Sequence, residues 1–279
     1  MLYMLGMSHA ISVLRAIDGG VDDTHENWNV NPDLVEWRKH RAPENFRDVG
    51  FDTIKLLLIR PAMNWHTVLE KRAGGDVLSA TPGFWSLLDS IPSSKEEDTL
   101  ISFIGGNDHS VFSLVESSSP FDFRGIQDER YPLIHGRQPI DIKYVESQIE
   151  KLMNGTVAML TALRLKHPRL RIVHVMPPPP IASEARIKAH PEVFGGVIER
   201  FGITPISVRM KVYLVYCALL TQVLDRLNAL PIYPPTGATD GIGALKDEYA
   251  YGCTHGNEAY GQLVAEQLAD ALKESHASV

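Results

Sequence analysis

The chain has 279 residues, 44% of them apolar, enough for one α/β domain with loop insertions around a sizeable core. Its 27 basic and 34 acidic residues give a net charge of −7 with no basic run, which argues against nucleic acid or an anionic membrane as a partner. Only two cysteines are present, Cys217 and Cys253, and they lack Cys-x-x-Cys spacing. Neither a disulfide framework nor a structural zinc is expected, and a reducing cytoplasm is the expected compartment.

The opening apolar run has no positive charge before it and stops too soon for a secretory core, so it reads as a first buried strand over Leu2 to Leu5. Helical periodicity follows from His9 to Ile17. Strand-like apolar runs then fall at Thr53 to Ile59, Thr99 to Ile104, Leu170 to Met176 and Leu230 to Tyr233. Between and after them, helical patterns cover Phe84 to Ser90, Tyr144 to Lys166, Ser207 to Asn228 and Asn257 to Glu274. The helix from Tyr144 carries an apolar stripe of Val145, Ile149, Leu152, Met153, Val157, Leu160 and Leu163, which fits a sheet-packing face. Such alternation predicts a single domain over residues 1–279, with a parallel sheet and crossover helices. No run reaches about 18 uninterrupted apolar residues, so no membrane span is expected.

Three stretches depart from this frame, at 18–52, 116–141 and 177–205. Loops of that length are usually functional or mobile. The middle one, with Phe121, Phe123, Arg124, Arg130 and Tyr131, reads either as a wall or lid over a site or as a neutral surface insertion. Trp28, Trp37, Trp65 and Trp85 read as core or partly buried residues rather than as a pocket lining.

Three short patches carry the chemistry. Ser8, in Gly6-Met7-Ser8-His9, stands where the first strand turns into a helix. A hydroxyl there sits beside a backbone N–H and the positive end of a helix, which suits a nucleophile, although a serine at this place also serves as an ordinary N-cap. Asn107, in Gly105-Gly106-Asn107-Asp108, follows the strand that begins at Thr99. Ligands of open parallel sheets bind at the carboxyl ends of the strands, so Ser8 and Asn107 are expected to meet there. The asparagine amide could donate to an oxyanion, or close an Asx turn on itself. His255, in Thr254-His255-Gly256-Asn257, precedes the last helix and could act as a general base or be an ordinary loop histidine. His9, at a helix start, is expected to point elsewhere.

These patches, in this order, resemble the SGNH hydrolase family, the GDSL esterases and lipases. The resemblance implies a three-layer α/β/α sandwich with a mainly parallel five-stranded sheet. It implies Ser8 as nucleophile, the Ser8 N–H and Asn107 as oxyanion donors, and His255 as base. Pro177-Pro178-Pro179, after Met176, is similar to the end of that family's fourth strand. Met7 stands where the family has aspartate, and Gly252 stands where an aspartate usually orients the histidine. The nearest upstream acids are Asp247, Glu248 and, farther away, Asp240. The family's oxyanion glycine is best matched by Gly75, with Gly74, Gly50 and Gly83 also open.

The expected activity is hydrolysis of an O-acyl ester, a short acyl group on a carbohydrate or other small polar alcohol, through an acyl-serine intermediate. An O-acyltransferase using the same site, or a binding or regulatory protein that has lost catalysis with the two aspartates, are the alternatives. No cofactor is expected: phosphate-cradling glycine motifs are missing, and the ligand-type run Asp22-Asp23-Thr24-His25-Glu26 has no second cluster to complete a metal shell. Oligomeric state is left open by the sequence.

Overall fold

The computed structural model describes residues 2–18, 54–59, 67–91, 98–126 and 129–276. Nearly all of the 18–52 excursion lies outside them, with the Asp22 to Glu26 run, Trp28 and Trp37, and so does Trp65. The strands are β1 (Leu2–Gly6), β2 (Ile54–Leu58), β3 (Val68–Glu70), β4 (Val77–Ser79), β5 (Thr99–Phe103), β6 (Phe121–Asp122), β7 (Gln138–Pro139), β8 (Arg171–Val175), β9 (Ala229–Ile232), β10 (Ala250–Tyr251) and β11 (His255–Gly256). The helices are α1 (His9–Asp18), α2 (Pro82–Asp89), α3 (Asp108–Ser113), α4 (Ile142–Leu152), α5 (Asn154–Lys166), α6 (Glu184–Ala189), α7 (Gly195–Phe201), α8 (Ile206–Arg226) and α9 (Glu258–His276).

Five strands form one parallel sheet in the order β2-β1-β5-β8-β9. Every residue of β1 and β5 is buried, because helices cover both faces, and this is why these strands read as unbroken apolar runs. Alternate side chains feed two separate cores. Tyr3, Leu5 and Leu100 point into one with Phe84, Val145, Ile149, Leu160, Leu163 and Tyr216, from α2, α4, α5 and α8. Leu2, Met4, Ile101 and Phe103 point into the other with Val13, Leu14, Val264 and Leu268, from α1 and α9. The result is a three-layer α/β/α sandwich, the architecture that the resemblance implies.

The chain moves from β1 to β2 on one side and then crosses back to continue through β5, β8 and β9 on the other. The crevice beyond the carboxyl ends of β1 and β5 is therefore the topological switch point, where ligands of such sheets bind.

The expected helix from Tyr144 to Lys166 is two helices, α4 and α5, divided at Met153. Asn154 supplies the reason. Its side-chain oxygen accepts from the Leu69 N–H at 2.9 Å and its amide donates to the Leu69 carbonyl at 2.8 Å, clamping β3 to the start of α5. Leu152, read as part of the buried stripe, is 38% exposed in consequence of the offset.

The 177–205 stretch contains α6 and α7. The 116–141 stretch is pinned to the core helix α8 by an ion pair between Asp122 and Lys211 at 2.5 Å, both buried. Asp122 also accepts the backbone N–H groups of Phe123 and Ile134, and the Lys211 ammonium donates to the Phe123 carbonyl at 3.0 Å. Helix α8 meets the length and composition of a membrane-spanning helix, but Val208, Val212, Tyr216, Leu220 and Leu224 are buried within the protein.

Candidate active site

Ser8 is positioned by the end of β1. Gly6 lies opposite Leu58 on one side and Phe103 on the other, and the Met7 N–H reaches the Phe103 carbonyl at 3.4 Å. The chain then turns into α1, whose first turn is closed by the Ile11 N–H on the Ser8 carbonyl at 3.1 Å. Ser8 is half-buried at the N-terminal end of a ten-residue helix, where the positive end of the helix dipole favours developing negative charge. Met7 packs its side chain against the core that contains Tyr3 and Leu5.

Asn107 stands after the neighbouring strand, between β5 and α3. It occupies the cap position of α3, yet its side chain makes no capping hydrogen bond. Its Oδ1 is buried without a hydrogen-bond partner among the described residues. The side chain is thus not consumed by the local turn.

His255 comes to this edge through the small β10–β11 hairpin, with Tyr251 opposite it. Its ring stacks on that of His9, centroids 4.8 Å apart and planes at 28°. The expectation that His9 points elsewhere is corrected: the residue next to Ser8 forms the surface on which His255 lies. Gly106 makes the room. At φ +127°, a Cβ there would stand 2.2 Å from His9 Cδ2 and 2.4 Å from Nε2.

Burial pushes the His9 pKa well below the usual imidazole range, and the nearby His255 and His109 rings push it the same way. Among the described residues neither His9 nitrogen reaches a partner at hydrogen-bonding geometry, although the Asn107 side chain lies close enough to favour the charged ring slightly. His9 is accordingly a neutral ring, and its neutrality keeps a second positive charge away from His255.

The surrounding groups narrow the chemistry. Burial pushes the thiols of Cys253 and Cys217 up to about 12, so neither is a thiolate nucleophile. Burial raises Asp108 to about 6 despite the Thr156 hydroxyl donating to it at 3.2 Å. His109 is held down at about 3 by burial, with Nε2 at 3.1 Å from the Ser110 hydroxyl. No group of three or more metal-ligating side chains occurs among the described residues.

The structure thus brings Ser8, Asn107 and His255 to one edge of the sheet. Gly75 lies in the exposed turn of the β3–β4 hairpin, and no described atom lies within 4 Å of where its Cβ would be. Of the acids considered for His255, Asp247 is bonded to Arg186 at 2.8 Å, Asp240 accepts the N–H groups of Ile242 and Ala244, and Glu248 is exposed. The carboxylate beside His255 belongs instead to Glu192, whose Oε1 is 4.0 Å from Nδ1. Nothing in the local sequence around Glu192 signals this, because the approach is made by the 177–205 stretch folding back on the β10–β11 hairpin.

No protein-family model and no curated protein matches the sequence. Similar solved structures include a protein described as a platelet activating factor from Streptococcus pneumonia, at 14% identity over 97% of this chain and 83% of that one, TM-score 0.48. A GDSL-like lipase from Bacteroides thetaiotaomicron is similar at 9% identity over 98% of this chain and 88% of that one, TM-score 0.42. A carbohydrate acetylesterase from Sinorhizobium meliloti is similar at 12% identity over 98% of each chain, TM-score 0.41.

Proposed function

We propose that this chain, an α/β/α protein of SGNH-hydrolase type, is a serine esterase that hydrolyses an O-acyl ester through Ser8. The observation that carries the reading is the convergence at the switch point: Ser8 and Asn107 follow the carboxyl ends of two adjacent parallel strands, and His255 stacks on the residue that follows Ser8. The Ser8 hydroxyl attacks the acyl carbon while its proton passes to His255 Nε2. The oxyanion that forms is met by the Ser8 N–H and the Asn107 amide. Collapse expels the alcohol, which takes the proton from His255, and water resolves the acyl-serine by the same steps in reverse roles.

A short acyl group on a carbohydrate or other small polar alcohol follows from the resemblance rather than from the shape of a pocket. Transfer of the acyl group to a sugar hydroxyl would use the same residues, and product analysis with and without such an acceptor separates transfer from hydrolysis. The test of the nucleophile is covalent labelling. A fluorophosphonate should add one adduct to the protein, mapped to Ser8 by mass spectrometry and missing from folded Ser8→Ala. An adduct elsewhere, or none, sinks the assignment.

A further inference from the structure

A serine and a histidine act well as a pair only when a third group holds the imidazole in one tautomer and stabilises it as a cation. Gly252 has no side chain to offer, and the space beside it is filled from another part of the fold. A Cβ on Gly252 would lie 1.8 Å from Glu192 Oε1 and 2.8 Å from its Cδ. The Glu192 carboxylate therefore occupies the volume that a side chain at 252 would enter.

Its two oxygens divide their work. Oε1 faces His255 Nδ1 at 4.0 Å, and Oε2 accepts from the Cys253 thiol at 3.4 Å. The Thr254 hydroxyl sits at 2.9 Å from the same Nδ1. The backbone of Glu192 has φ +49°, a region few non-glycine residues occupy and one that persists only where the surroundings over-determine it. Such strain clusters at functional sites, and here it aims a carboxylate at an imidazole.

We propose that Glu192 is the positioning acid for His255, supplied by the 177–205 stretch in place of a side chain at Gly252, acting beside the Thr254 hydroxyl that also reaches Nδ1. The proposal rests on the serine-esterase reading of Ser8 and His255. With Nδ1 turned toward Thr254 and Glu192, Nε2 is the nitrogen that exchanges the proton with Ser8 and the leaving alcohol. The Glu192 carboxylate gains a partner when His255 becomes imidazolium. Among the described residues, His9 is stacked on His255 and neutral, and Cys253, two residues before His255, is a thiol bonded to Glu192. Glu192 presents a carboxylate to the imidazolium.

The test compares wild type, Glu192→Gln, Glu192→Asp and the pair Glu192→Ala with Glu192→Ala/Gly252→Asp, all checked by thermal melts. Acetyl nitrophenyl ester is the substrate, and the His255 imidazole is titrated by NMR. Glu192→Gln should lower kcat by about 10²-fold or more, toward the roughly 10⁴-fold seen when a serine-protease triad acid is neutralised, with KM within about threefold. The acid limb of its kcat profile and the His255 midpoint should both fall by about one pH unit, since the charge favouring the imidazolium is gone. Glu192→Asp should keep more activity than Glu192→Gln. Gly252→Asp should restore about tenfold or more to Glu192→Ala, because removing the glutamate clears the space into which a side chain at 252 projects.

A Glu192→Gln enzyme within about threefold of wild type overturns the proposal, and so does a loss of kcat with the His255 midpoint unmoved, which would mark a structural role. If wild type shows no Ser8-dependent turnover, the esterase reading fails separately, and the NMR midpoint still decides whether Glu192 acts on His255.

Discussion

Gly106 has no room for a side chain, and the reason is chemical as much as steric. Its backbone passes against the His9 ring, and that ring is the surface on which His255 lies. Gly106→Ala must displace His9 and also hold a β-carbon at φ +127°, a cost of about 1–3 kcal/mol for the backbone alone. Thermal melts should show that loss. Ester turnover should fall by about 10²-fold, the scale on which a misplacement of about 1 Å is felt at a reacting centre. A Gly106→Ala protein with wild-type turnover would mean that the His9 stack does not position the base. The neutrality of His9 belongs to the same arrangement, because a cation stacked on His255 would oppose the proton that His255 must accept from Ser8.

The strap that includes residues 116–126 and 129–141 is tied to α8 by a buried pair. Asp122 and Lys211 neutralise each other where neither meets water, and Asp122 also holds two backbone N–H groups of the strap. Asp122→Ala leaves the ammonium buried and uncompensated, which should cost about 3–5 kcal/mol in chemical denaturation. The double variant Asp122→Leu/Lys211→Met should cost less than either single change, since it removes both desolvated charges together; strict additivity of the two losses would contradict the coupling. The central strands β1, β5 and β8 were legible in the sequence because they are buried on nearly every residue and so have no polar alternation to blur them. The break between α4 and α5 was not, because the apolar stripe runs through it and its cause is Asn154 bonding to Leu69, a contact between distant parts of the chain. Helix α3 was missed for its shortness and for the polar residues of Asp108-His109-Ser110. Ser8, Asn107 and His255 could be read from their local patches. The orientation of His9 is set by a glycine on another strand end and the approach of Glu192 by a fold-back, and neither leaves a local mark.

The distribution of buried ionisable groups makes the stability of the folded chain depend on pH. His9, His109 and His174 are all buried, and burial pushes each below the ordinary imidazole value, His109 and His174 to about 3. His174 sits within the sheet, with Nδ1 at 3.1 Å from the Ser102 hydroxyl of the adjoining strand. Below about pH 6.5 the unfolded chain takes up protons on these rings that the folded chain refuses, so stability is lost as pH falls. Asp108, raised to about 6, has the opposite sign: between its ordinary value and 6 the folded chain holds a proton that the unfolded chain has released. Three rings against one carboxyl leave a net uptake of protons on unfolding, so stability falls toward acid between about pH 6 and 4.5. Urea unfolding across that range should show a steep fall toward acid, and a flat or rising profile would contradict the assignment of buried neutral rings.

The test to make first is hydrolysis of nitrophenyl esters from acetyl to octanoyl by wild type and by Ser8→Ala, with both shown to be folded by their melts. Wild type should turn over the short esters, and Ser8→Ala should be reduced to the background rate on all of them. Undiminished hydrolysis by a folded Ser8→Ala protein would contradict the account of Ser8 as the nucleophile at the β1–β5 switch point.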